Sequence, residues 1–163
     1  MNADDPHTDR AVLITVPVLS ALPLVFLACY LRASRSQLPA TLTVHWGPLG
    51  EANGKEDLAS FIAFAFVLSF AWLLLAAVAC GIEALGRHRV SQFGIVKYVA
   101  LAGVWTTVGL ESAIVEANAR SRPADLNMDL FIISILIGPA IAILVAFAKS
   151  RIRVRKDASY SEA

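Results

Sequence analysis

Four apolar blocks, each long enough to cross a bilayer, leave this chain few folds to adopt. Ala11 to Leu31 and Leu58 to Ile82 contain no charged residue, and the second holds the densest run, Ala71-Trp72-Leu73-Leu74-Leu75-Ala76-Ala77-Val78-Ala79. Phe93 to Val115 contains Lys97 and Glu111, and Leu130 to Ala148 is again free of charge. A hydrocarbon core about 30 Å thick is crossed by a helix of about 20 mainly apolar residues. Only 17% of the chain is charged and 57% falls in the class AVILMFWYC, where an average soluble domain carries about 25% charge. These blocks predict an all-α membrane protein, a four-transmembrane-helix bundle with spans at 11–31, 58–82, 93–115 and 130–148. The connections are short, so residues 1–163 form one integral membrane domain with no separate soluble unit.

Basic residues near span ends are retained on the cytoplasmic side. With four spans, both termini share a side with the second connection. That side holds Arg10, Arg87, Arg89, Lys97 and the five basic residues of the tail, against Arg32, Arg35, Lys55, Arg120 and Arg122 on the other. The balance predicts cytoplasmic termini, with the first and third connections outside. The segment before the first block has three aspartates and one arginine. A secretory leader has a basic n-region and a shorter apolar core, so the first block is expected to be a retained helix.

In this topology Cys29 falls near the outer end of the first span and Cys80 near the inner end of the second, too far apart for a bond that needs Cα atoms within about 7 Å. Both are expected to be small packing residues. Pro17, Pro23 and the Gly138-Pro139 pair predict bends, which membrane helices tolerate when neighbours satisfy the freed carbonyls. In the third span Ala100, Gly103, Thr107 and Glu111 recur at helical spacing and form one stripe expected to face the bundle interior. Lys97 and Glu111 are separated by about 21 Å of helix and cannot pair. Lys97 is expected to snorkel to the headgroups. For Glu111 two readings stand: a functional carboxylate within the membrane, or a side chain that reaches the interface or pairs with Arg120 or Arg122. The tail from Lys149 to Lys156 is polybasic and is expected to lie on anionic cytoplasmic lipid. It has no interleaved aromatics for base stacking, so no nucleic-acid partner is expected.

The first connection is the least ordinary part of the chain. Thr41-Leu42-Thr43-Val44-His45-Trp46 is rich in β-branched and aromatic residues and should be extended. Gly47-Pro48, Gly50 and the turn dipeptide Asn53-Gly54 should then reverse the chain. Glu56 and Asp57 sit where negative charge suits the start of the second span. Leu42, Val44, Trp46 and Leu49 are expected to rest on the outer interface or on helix ends. His45 has two readings: a metal ligand or proton carrier with a carboxylate such as Glu51 or Glu111, or a cap on backbone groups of the turn, with Gly50 and Gly54 supplying unusual backbone angles. No metal-ligand spacing, catalytic motif or phosphate-binding loop is present in the sequence. No cofactor or metal is expected, and the chain is read as non-enzymatic.

Leu38-Pro39, Val44-His45-Trp46, Gly50 and Asn53-Gly54 together resemble the signature of a domain of unknown function carried by the SdpI-like family of bacterial membrane proteins. Asn53 stands where that signature commonly has aspartate. The resemblance covers about the first two spans and their connection. It implies an integral protein of the bacterial plasma membrane and, in one branch of the family, immunity and signalling against a secreted peptide. On that reading His45, Trp46, Gly50, Glu51, Asn53 and Gly54, with Glu111 beneath them, form a ligand- or partner-binding surface at the outer face. Two other functions remain open: an accessory subunit of a larger membrane complex, and a small transporter using Glu111 and the bend at Pro139.

Overall fold

The computed structural model describes residues 6–47, 51–85, 92–119 and 127–161. Four helices make up most of them: α1 (Pro6–Ser34), α2 (Leu58–Ala84), α3 (Gln92–Ala119) and α4 (Met128–Ser161). All four are long and apolar enough to cross a membrane. Large apolar side chains such as Val25, Phe64, Val67, Leu136 and Leu144 are exposed along them, a pattern compatible with a multi-pass membrane protein. Each helix outruns its expected span, most of all α4, which carries the basic tail as helix to Ser161. A bilayer limits the apolar stretch and not the helix, and Lys, Arg and Ala are good helix formers beyond it. At the junction the Arg151 guanidinium lies 5.0 Å from the centre of the Phe147 ring, one turn away, in cation–π contact.

The bundle is organised around α3, which packs against each of the other three helices. Of its apolar window 44% is buried inside the protein, against 17% to 22% for the others. Lys97, Ala100, Val104, Glu111, Val115 and Asn118 are all buried, at intervals of three, four and seven that keep them on one face. The stripe read from the sequence does face inward, with Ala100 and Glu111 buried and Gly103 and Thr107 half-buried. Small residues set how closely the helices approach. A Cβ on Gly103 would stand 2.6 Å from the Trp72 ring of α2, and one on Gly138 of α4 would strike the Ala102 carbonyl and the Thr106 hydroxyl of α3.

Lys97 does not snorkel. Its side chain is 1% exposed, donates to Glu83 of α2, and lies 5.4 Å from the centre of the Tyr98 ring. A carboxylate one helix away stabilises the ammonium better than stretching to the headgroups, and Glu83 keeps partial access to the surface. Cys80 packs in the core as expected, whereas Cys29 is exposed on α1, and the two are not joined in a disulfide.

Pro23 has no amide hydrogen, so the Leu19 carbonyl one turn back loses its helical partner. The indole Nε1 of Trp105 on α3 donates to that oxygen at 3.1 Å. The break in α1 thereby becomes a tie between α1 and α3.

Between α1 and α2, a short 3-10 turn (Arg35–Gln37) leads into an antiparallel pair of strands, β1 (Thr41–Trp46) and β2 (Ala52–Asp57). The register pairs Thr41 with Asp57, Thr43 with Lys55, His45 with Gly54 and Trp46 with Ala52. Val44 and Asn53 are thus extra residues in their strands, and both interrupt the ladder as bulges do. The bulge at Val44 breaks simple alternation: Leu42 and Thr43 are both buried and Val44 is half-buried against the core. Instead of a turn leading straight into the second span, the connection is a hairpin whose second strand ends at Asp57, immediately before the first residue of α2. The Asn53-Gly54 pair lies within β2, and the reversal falls between Gly47 and Glu51, where the Gly47 amide donates to the Glu51 carbonyl at 2.8 Å.

Replacing Trp105 with Phe should lower stability in detergent by about 1 kcal/mol, the net worth of one hydrogen bond. In a Pro23→Ala background residue 23 regains an amide for Leu19, and the same change should cost clearly less. A double-mutant cycle on unfolding midpoints checks this; equal costs in both backgrounds would disprove the tie.

Candidate functional site

The hairpin is fixed to the bundle from its inward side. Leu42 is fully buried in a cluster with Leu27, Leu31, Leu58, Phe61 and Val108. Beside it, Asn118 of α3 grips the backbone of Thr43. Its side-chain oxygen accepts from the Thr43 amide at 2.8 Å, and its nitrogen donates at 2.8 Å to both the Thr43 and the Ile114 carbonyls. A carboxamide presents one donor group and one acceptor in the geometry of a peptide, so it closes the edge of β1 as a neighbouring strand would. Tyr30 of α1 adds a hydrogen bond at 3.0 Å to Glu116, one turn before the end of α3.

The exit from the hairpin is fixed as well. Asp57 caps α2, accepting from the Ala59 amide at 3.2 Å and the Ser60 amide at 2.8 Å. The bonds from the Ser60 hydroxyl, then from the Ser60 and Ala59 amides, hold its carboxyl below the ordinary carboxylate range. The Leu58 amide donates back to the Ala40 carbonyl at 2.9 Å, closing the base of the hairpin. Charge beside the helix dipole was expected here; the full side-chain cap goes further.

On the other side of the hairpin the structure brings together His45, Asn53 and Gly54. His45 Nδ1 bonds to Asn53 Oδ1, a side-chain partner rather than the backbone of the turn. Bulging Asn53 out of β2 is what allows its amide to reach across. Gly54 is not in the left-handed region; it is needed for space, because a Cβ there would lie 2.6 Å from the Cβ of His45, its partner in the register. Trp46 is half-buried, and Leu42 and Val44 pack on helix ends as expected. Glu51 and Lys55 are exposed on the same hairpin. Gly50 and Leu49 lie outside the described residues.

Glu111 is not part of this surface. It lies seven residues before Asn118, about 10 Å down the helix, and is 6% exposed. The Ser69 hydroxyl of α2 donates to its Oε2 at 3.3 Å, while its Oε1 has no hydrogen-bond partner. Its side chain turns into the bundle toward Ser69; Arg120 and Arg122 lie outside the described residues. Among the described residues no group of three or more His, Cys, Asp and Glu is placed to hold a metal ion.

Sequence reasoning missed Asn118, Trp105, Tyr30 and Glu83. Asn118 left a signal: it lies seven residues beyond Glu111, which is itself fourteen beyond Lys97, on the interior face. A four-helix protein of membrane-crossing composition, with a hairpin held at one end, is what the fold and site define. Comparison with protein-family models, with curated proteins and with solved structures returned no match.

Substituting Asn118 with Leu keeps the branched shape and leaves the Thr43 amide and carbonyl without their partner, a loss of about 2 kcal/mol. Hydrogen exchange should accelerate across residues 41–57 while the middle of α3 keeps its protection. Unchanged exchange in the hairpin would show that the carboxamide does not hold it.

Proposed function

We propose that this is a non-enzymatic protein of the bacterial plasma membrane, with cytoplasmic termini, whose hairpin recognises a ligand at the outer face. The observation that carries the reading is the asymmetry of the hairpin. One side is buried at Leu42 and clamped by Asn118, and the other presents His45, Asn53, Glu51 and Lys55. A surface held this firmly has little conformational entropy left to lose on binding.

An extended peptide is the ligand class that suits it. Among the described residues β2 pairs only with β1, so its other edge offers backbone groups that a further strand can use. The loop resemblance to SdpI-like proteins favours the same class. Secreted peptides screened against the protein in nanodiscs should include a binder that protects the β2 amides from exchange. His45→Ala and Asn53→Ala should weaken it about tenfold, as hot-spot residues do, with unchanged melting temperature. A binder indifferent to both substitutions would place recognition elsewhere.

A second reading, a small transporter, is favoured by Glu111. A buried carboxylate with one oxygen unsatisfied is costly in a structural role. Ion- or proton-coupled flux in proteoliposomes, abolished by Glu111→Gln, is its expected sign; flux that survives the substitution, or no flux at all, removes it.

A further inference from the structure

At the hairpin end of the bundle, α1 and α2 leave an open groove of about 490 Å³ lined by Leu31, Arg32, Arg35 and Ile62. The floor is apolar, with Leu31 buried and Ile62 half-buried, and the rim carries the two exposed guanidiniums. Among the described residues neither arginine forms an ion pair with a carboxylate. The groove sits where the last turn of α1 passes the second turn of α2, the depth at which headgroups begin if the helices cross a bilayer.

We propose that this groove binds one anionic phospholipid of the surrounding bilayer, with its phosphate between Arg32 and Arg35 and an acyl chain along Leu31 and Ile62. Arg32 lies in the last turn of α1 and Arg35 opens the 3-10 turn that continues it, and residues three apart on such a run have neighbouring side chains. Each guanidinium offers a fork of donors matched to phosphate oxygens, and two of them around one phosphate give a charge-assisted grip that a single snorkelling side chain lacks. The apolar floor beside the paired charges selects an amphiphile over a free anion, since phosphate alone leaves Leu31 and Ile62 uncovered. The same chemistry distinguishes the groove from the basic tail of α4, whose attraction for anionic lipid needs no apolar slot. This inference rests on the chain crossing a bilayer and is independent of what the hairpin recognises.

The test is native mass spectrometry of the full chain in mild detergent, titrated with phosphatidylglycerol or phosphatidylcholine. To silence the tail, it is run in a variant with Lys149, Arg151, Arg153, Arg155 and Lys156 changed to Gln. One phosphatidylglycerol should bind in preference to phosphatidylcholine, and Arg32→Gln with Arg35→Gln should weaken it about tenfold. Ile62→Trp, which fills the slot and keeps both charges, should weaken it as well; either variant is scored only with unchanged helical circular dichroism, and the two differ enough that one serves if the other misfolds. Equal binding of the two lipids would overturn the proposal. So would displacement of the lipid by millimolar inorganic phosphate, or an adduct unaffected in a folded variant.

Discussion

In hydrocarbon there is no water to satisfy a backbone amide or carbonyl that leaves the helical ladder, so each break in a helix must find its partner inside the protein. Three departures from the helical ladder among the described residues are each answered by a named side chain. The Leu19 carbonyl freed by Pro23 takes the Trp105 indole, the edge of β1 at Thr43 takes Asn118, and the first amides of α2 take Asp57. Two of the three partners come from α3. The helix at the centre of the bundle is therefore what allows its neighbours to depart from regularity.

That role explains an inversion in composition. α3 has the lowest mean hydropathy of the four apolar windows, 1.4 against 2.2 to 2.8, and is also the most buried. A soluble bundle would bury its most apolar helix; where lipid surrounds the helices, apolar surface is as well placed outside as in, and the polar side chains are driven inward. Trp105, Glu111, Glu116, Asn118 and Lys97 each bond to a different element or to a different part of α1 or α2. Contact with α4 uses closeness instead: Gly138 meets the backbone of α3, and a Cβ on Gly109 would stand 2.9 Å from the Ser134 Cβ. Polar ties order the first three helices and small residues admit the fourth.

Much of this was legible in the chain. The four helices follow from apolar length alone, and the inward stripe of the third follows from spacing. β1 was visible in its β-branched residues, but β2, Ala-Asn-Gly-Lys-Glu-Asp, has the composition of a turn and is a strand only because β1 lies beside it. Strand character of that kind is set by the partner and cannot be read locally. The same limit hid the pairing of Lys97 with Glu83, since helix position says how deep a lysine lies and not which carboxylate faces it. The structure brings His45, Asn53 and Gly54 together, while the reason for Gly54, contact with His45 rather than backbone angle, depends on a register that no spacing in the sequence reveals.

The buried face of α3 also separates the two functional readings physically. Lys97, Glu111 and Asn118 stand on it in order, and their states differ. Asn118 bonds through both its oxygen and its nitrogen, and Lys97 has its counter-charge. Glu111 has one long bond from Ser69 and an oxygen with none. Buried polar groups are satisfied as a rule, and an exception calls for an explanation. Ser20 is also buried without a partner for its hydroxyl, yet a neutral hydroxyl costs far less to leave unpaired than a carboxylate. Glu111 and Asn118, which ties the hairpin to the helix, are about 10 Å apart along α3 and share no hydrogen-bond partner, so substitutions at the two should be nearly additive. The two proposed readings, recognition at the hairpin and transport through Glu111, can thus be tested one residue at a time, at His45 or Asn53 and at Glu111.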